Sequence, residues 1–217
     1  INTVTTAHQM GPVTASLGAN GFVALWFSYQ NDQDSDGSGV YGQIFSNDGV
    51  PVGLEFQVNS YTGSDQDLPS ITSLASGGFV ATWSSMDQDG SNYGIYGQRF
   101  DNSGNLVGPE FLVNSTATGE QDFSVIADLS SGGFVVVWES DLQDGSQQGI
   151  FGQVFDSSGT AVGGEFQVNS FTELDQTYPA ITGLASGGFV VAWNSDNQEN
   201  QLYEIYAQIF EADGTAV

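Results

Sequence analysis

The sequence has no cysteine, a single Lys or Arg, one His and only five prolines. Without cysteine there is no disulfide framework, no thiolate zinc site and no Cys nucleophile, and redox compartment cannot be read from thiol usage. Against that single cation stand 26 Asp and Glu residues, giving a formal net charge of -25. Such a surface repels nucleic acid and anionic membranes, and it attracts cations. Its self-repulsion is relieved by screening salt or bound metal, which points to a saline or calcium-rich extracellular setting. No stretch approaches the roughly 18 apolar residues of a membrane-spanning helix, so membrane insertion is not expected. The opening INTVTTAHQM shows no basic region followed by an apolar run, so a signal for export would lie outside these residues.

What the chain does have is glycine, 29 of 217 residues, and repetition. Repeats decide a fold before any local reading does. An apolar run ending in Trp recurs as NGFVALW, GGFVATW, GGFVVVW and GGFVVAW, placing Trp26, Trp83, Trp138 and Trp193 at spacings of 57, 55 and 55. A second run recurs as VYGQIF, IYGQRF, IFGQVF and IYAQIF. A third reads LEFQVN, PEFLVN and GEFQVN, and a fourth reads PVTASL, PSITSL, SVIADL and PAITGL. The fourth run meets the first across glycine-rich turns such as Gly77 and Gly78, a hairpin signal. Turn chemistry in SNDG, DNSG, DSSG and EADG joins the second run to the third, with Asp48, Asp101, Asp156 and Asp213 as turn formers.

Each unit is thus a meander of strands a, b, c and d, and four such meanders in tandem define an all-β, four-bladed β-propeller of four-stranded antiparallel blades. Counted from strand a, the blades are 12–60, 69–115, 124–170, and 179–217 completed by 1–3. In that last blade INT matches the VNS of a strand d, so the N-terminal strand is expected to close the ring and remove an exposed edge. The Trp and Phe columns are read as packing between blades, because one unit cannot bury its own faces.

The meander sorts the loops onto two faces. On the face of the b-to-c loops and d-to-a crossovers, the b-to-c loops hold Gln33 and Asp34, Gln88 and Asp89, Gln143 and Asp144, and Gln198 and Glu199. The crossovers hold His8 and Gln9, Asp65 and Gln66, Glu120 and Gln121, and Asp175 and Gln176. Clustered carboxylates and amide oxygens are what a hard cation takes, six to eight at a time, so calcium is the expected cofactor at this face. The first loop, with Asp32, Asp34, Asp36 and Gly37, imitates the start of an EF-hand loop but places Gln43 where the bidentate Glu belongs. The same side chains could instead cap turns. Paired with Tyr29, Tyr93, Tyr178 and Tyr203 they could also meet sugar rings, the basis of a multivalent lectin as the alternative reading.

Catalysis has a thin inventory: His8, Arg99, no Lys and no Cys. Carboxylate pairs could hydrolyse glycosides, but such pairs need environments that differ, and equivalent repeats tend to supply equivalent ones. The expectation is therefore a non-catalytic module, with a glycosidase as a distant alternative.

The consensus GGFVVxW, an acidic Asp-Gly-Ser loop and GIYGQxF-D-x-x-G-x-x-V-G-x-EFxVN resembles repeats of very large secreted bacterial proteins of the RTX adhesin and hemolysin-type calcium-binding class. The resemblance covers nearly the whole chain. It implies secretion or surface display as part of a larger polypeptide, calcium dependence of the parent, and adhesion to a host-surface or matrix glycan or protein. The glycine-rich nonapeptide calcium repeat of that class is absent.

Overall fold

The computed structural model describes residues 1–5, 8–29, 36–199 and 202–217. Period-two strands separated by glycine turns give four antiparallel meanders. The first is β1 (His8–Ser16), β2 (Phe22–Tyr29), β3 (Gly39–Phe45) and β4 (Pro51–Gln57). The second is β5 (Gln66–Ser73), β6 (Phe79–Met86), β7 (Tyr93–Phe100) and β8 (Phe111–Leu112), and the third is β9 (Gln121–Asp128), β10 (Phe134–Asp141), β11 (Gln148–Phe155) and β12 (Ala161–Gln167). The fourth has three strands, β13 (Gln176–Gly183), β14 (Phe189–Asp196) and β15 (Tyr203–Phe210). The molecule is a four-bladed β-propeller, as the repeat requires.

The a-to-b turns show why glycine recurs there. A Cβ on Gly21, Gly78, Gly133 or Gly188 would stand 1.8–2.1 Å from the carbonyl oxygen of Phe45, Phe100, Phe155 or Phe210 respectively. Nothing larger fits. On the same side of the ring, Asp101 accepts the backbone N–H groups of Ser103 and Asn105, and Asp156 those of Ser158 and Thr160, the turn role the sequence gives them.

The core lies between blades. One cluster joins Val23, Leu25 and Ile44 of the first blade to Phe79, Trp83 and Phe100 of the second, and the next joins Val80 and Ile95 to Phe134, Trp138 and Phe155. A third joins Val135, Val137 and Ile150 to Phe189, Val191 and Trp193. At each seam the strand-d phenylalanine of one blade meets a phenylalanine pair of the next: Phe56 against Phe100, Phe111 against Phe155, Phe166 against Phe210.

Closure is where the structure departs from the sequence reading. Residues 1–3 do not pair with β15. Thr3 donates from its backbone N–H and its hydroxyl to Glu55 (2.7 and 2.9 Å), as Ser60 does to Glu110 and Ser115 to Glu165. The segment therefore rests on the first blade as a strand-d tail rests on the blade that follows it. Yet Ile1 is 75% exposed where its counterparts Val58, Val113 and Val168 are buried. Innermost strands pack on one another from β1 to β5, β5 to β9 and β9 to β13, with no comparable contact from β13 back to β1.

Candidate active site

The innermost strands begin at His8, Gln66, Gln121 and Gln176, ahead of the residues 12, 69, 124 and 179 that the turn pattern suggests. The extra length comes from an irregularity at one repeated position. Gly11, Leu68, Phe123 and Tyr178 all have positive φ (58°, 49°, 49° and 53°), and the strand pairing shifts around them. For a residue with a Cβ this conformation costs roughly 1–2 kcal/mol, held in place by the packed strands on either side. It turns Leu68, Phe123 and Tyr178 into a shared cavity of about 280 Å³, walled further by Pro12, Pro69, Pro179 and Val125. Phe123 and Tyr178 meet edge-on with ring centroids 6.0 Å apart.

One residue before each of these stands the column Met10, Asp67, Asp122 and Thr177. Its cross-strand partners are Phe27, Ser84, Glu139 and Asn194. Acids occupy only the second and third copies, so the repeat is broken here. Asp122 and Glu139 are direct partners in the third blade. Glu139 is 5% exposed and accepts the backbone N–H of Tyr178, 2.6 Å away on the fourth blade.

All three carboxyls are pushed up to about 7. For Asp67 the causes are burial, then the charges of Asp65 and Glu120. For Asp122 they are burial, then Glu139, Glu120, Asp67 and Asp141. For Glu139 burial dominates and the Tyr178 N–H opposes it. Tyr93 lies within the same field, its hydroxyl pushed up by burial and then by Asp67, Asp65, Glu120 and Asp122. Arg99, the one Lys or Arg of the chain, donates to the Ser158 carbonyl (2.6 Å) on the opposite side of the ring and does not relieve this cluster.

The residues singled out from the sequence have other employment. Gln66, Gln121 and Gln176 are buried and accept from Asn59, Asn114 and Asn169 at 3.0–3.2 Å, while donating to crossover carbonyls. Gln9 donates to Ser28. Gln88 and Gln143 accept from Ser85 and Ser140 and donate to Glu110 and Glu165, and Gln198 accepts from Ser195. Asp65 takes both donors of Ser38 and Glu120 takes Asn92, each tying a b-to-c loop to the next crossover, and Asp175 takes the N–H of Gln148 at the start of β11. Asp89 and Asp144 accept the N–H groups of Ser91 and Ser146 within their own loops. Glu199 lies beside the Tyr206 hydroxyl, and Asp36 is exposed. Asp32, Gln33 and Asp34 lie outside the described residues. Among the described residues no three His, Cys, Asp or Glu side chains gather as a metal site would require.

No protein-family model matches the sequence, and no curated protein does. Solved structures do resemble the fold. An endo-arabinase from Bacteroides thetaiotaomicron superposes with a TM-score of 0.63 at 16% identity, over 99% of this chain and 80% of that one. A thermostable family-43 glycoside hydrolase gives 0.56 at 12%, over 96% and 73%. An exo-1,5-alpha-L-arabinanase from a bovine ruminal metagenomic library gives 0.53 at 13%, over 97% and 77%.

These findings correct the expectation of a non-catalytic adhesion module. That reading rested on equivalent repeats holding equivalent acids. The similar structures named above are glycoside hydrolases by name, and Asp67, Asp122 and Glu139 stand in environments that the equivalent positions of the other blades do not have.

Proposed function

We propose that the protein hydrolyses glycosidic bonds at the mouth of its axial cavity, using Asp67, Asp122 and Glu139. The observation that carries this reading is the set of three carboxyls raised to about 7 on two adjacent blades, beside an apolar cavity with exposed aromatic rings. Glycoside hydrolysis needs one carboxyl that still carries a proton near neutrality, to protonate the leaving oxygen, and one ionised carboxylate, to activate water or attack the sugar. Asp122 lies in the field of both Glu139 and Asp67, and burial raises all three, so these carboxyls retain protons above the usual carboxylate range. Glu139 is the proton donor in this scheme: it is the most buried of the three, and the Tyr178 N–H fixes one of its oxygens. Asp67, on the neighbouring blade, is the carboxylate that activates water. Asp122 stands between them in charge and holds the pair's protonation apart. Phe123 and Tyr178 give a sugar ring apolar faces to rest on.

The strong negative charge supports work outside the cell, within a larger secreted polypeptide, on glycans without acidic groups. Arabinan and arabino-oligosaccharides are the first substrates to offer, given the names of the structural neighbours. Release of reducing ends by the wild type, lost in Glu139→Gln and Asp67→Asn with the fold retained by circular dichroism, is the expected result. A folded wild type that cleaves no member of a panel of neutral plant and microbial glycans overturns the reading, and saturable glycan binding without cleavage replaces it with a lectin.

A further inference from the structure

The paired columns that break the repeat near the axis also sort by chemistry. Met10 stands opposite Phe27, Asp67 opposite Ser84, Asp122 opposite Glu139 and Thr177 opposite Asn194. An acid faces an acid in the third blade, and a hydroxyl in the second. Directly opposed residues of an antiparallel pair present their side chains on one face with Cβ atoms about 5 Å apart, so Ser84 is the cross-strand neighbour of Asp67.

That face looks onto the third blade. Thr82, two residues before Ser84 and so on the same side of β6, shares a hydrogen bond of 3.0 Å with the Ser124 hydroxyl of β9. Phe123 immediately precedes Ser124, and it holds between the second and third blades the place that Tyr178 holds between the third and fourth. There Glu139 spans the seam and takes the Tyr178 N–H. Ser84, in the same column as Glu139, is too short to repeat that bond, and among the described residues no side chain takes the Phe123 N–H.

Three polar groups are thereby left at one seam. Ser84 is fully buried and its hydroxyl has no partner, and Asp67 Oδ1 has none either. A buried water takes about two to four polar partners. The Phe123 N–H can donate to it, Asp67 Oδ1 can accept from it, and the Ser84 hydroxyl can do either.

We infer that Ser84 is a positioning residue for the hydrolysis proposed above, on which this inference rests: through a water shared with the Phe123 N–H it gives Asp67 Oδ1 a hydrogen bond and makes Asp67 the first of the three acids to ionise. A hydrogen bond to the charged form favours that form. It works against burial and against the charges of Asp65 and Glu120, which push Asp67 up. Asp122 lies in the field of Asp67, and the Tyr93 hydroxyl lies near without being bonded to it. Across the strand pair from Asp122 stands Glu139, which raises its neighbour where Ser84 relieves its own. The difference between hydroxyl and carboxyl in one column is what separates the water-activating acid from the others.

Carboxyl-carbon NMR on the full chain tests this, with Asp67→Asn marking the Asp67 resonance. In Ser84→Ala the Asp67 midpoint should rise by about one pH unit, the worth of a hydrogen bond to a charged group, and Asp122 and Glu139 should move less. Ser84→Thr keeps the hydroxyl in a column that already holds Phe27, Glu139 and Asn194, and it should restore the wild-type midpoint. The acidic limb of kcat should follow the same shift with KM little changed. An Asp67 midpoint unmoved by Ser84→Ala, or moved alike by both variants, overturns the inference and leaves the hydrolysis standing. A wild type that cleaves no glycan overturns the role together with the reaction, even where the titration shows the hydrogen bond. If neither variant folds, a high-resolution crystal structure of the wild type decides: a water bonded to Ser84, Asp67 and the Phe123 N–H supports the inference, and a Ser84 hydroxyl bonded elsewhere overturns it.

Discussion

Glu139 of the third blade accepts the backbone N–H of Tyr178 of the fourth at 2.6 Å, so a carboxyl near the axis is held by a residue whose own backbone is left-handed. The bond crosses a seam between blades and holds one oxygen of the carboxyl that stands across the strand pair from Asp122. Backbone strain of this type persists where surrounding structure over-determines it, and it clusters at working sites.

From this follows a pH profile. With its carboxyls raised to about 7, the cluster keeps a transferable proton up to neutrality and loses it above. The rate of glycan cleavage should fall on the alkaline side with an apparent midpoint near 7. Glu139→Gln should remove activity across the whole range rather than move the midpoint. Initial rates between pH 4 and pH 9 on one soluble substrate measure both.

Stability has the matching sign. An unfolded Asp or Glu titrates near 4, whereas these titrate near 7, so the native state binds more protons between those values and its stability falls as pH rises through that window. Below about 4 the effect is fully favourable, and above 7 the loss is complete. Glu139→Gln, which cannot ionise, should melt about 2–4 °C above wild type at pH 8, the shift that ~1 kcal/mol produces in a domain of this size. At pH 4 the two should melt together. Differential scanning calorimetry at the two pH values decides it.

The architecture was legible in the sequence and the site was not, for a definite reason. Trp26, Trp83, Trp138 and Trp193 repeat with the hairpin glycines, and that period fixes four meanders whatever the side chains at the axis do. Asp67 and Asp122 precede Leu68 and Phe123, whose left-handed backbone has no sequence signature, since glycine takes the position only at Gly11. The turn pattern therefore starts strand a at 69 and 124, which puts both acids before it. A signal was present in the columns. Met10, Asp67, Asp122 and Thr177, with Phe27, Ser84, Glu139 and Asn194, depart from their own repeat, whereas the glutamine columns that drew notice are uniform because they do the same hydrogen-bonding work in each blade.

Trp138 is fully buried between the second and third blades. Trp138→Ala removes a large side chain from a seam with no room to collapse and should cost about 3–5 kcal/mol. Urea unfolding monitored by far-UV circular dichroism should show the midpoint fall, with the cooperative transition kept.

Salt should stabilise the protein without regard to valence beyond screening. Asp65, Asp89, Glu120, Asp144 and Asp175 already spend oxygens on protein donors. Calcium chloride and sodium chloride at equal ionic strength should therefore raise the melting temperature alike, through reduced repulsion within a chain of charge -25. A rise of several degrees specific to millimolar calcium would assign a metal to the acidic face after all.

The glutamate contacts at the seams run one way along the chain. Glu55 secures Thr3, Glu110 secures Ser60 and Glu165 secures Ser115, so each of these three tails is held by the sheet made after it. During synthesis a nascent unit waits, with its tail unfastened, for its successor to leave the ribosome.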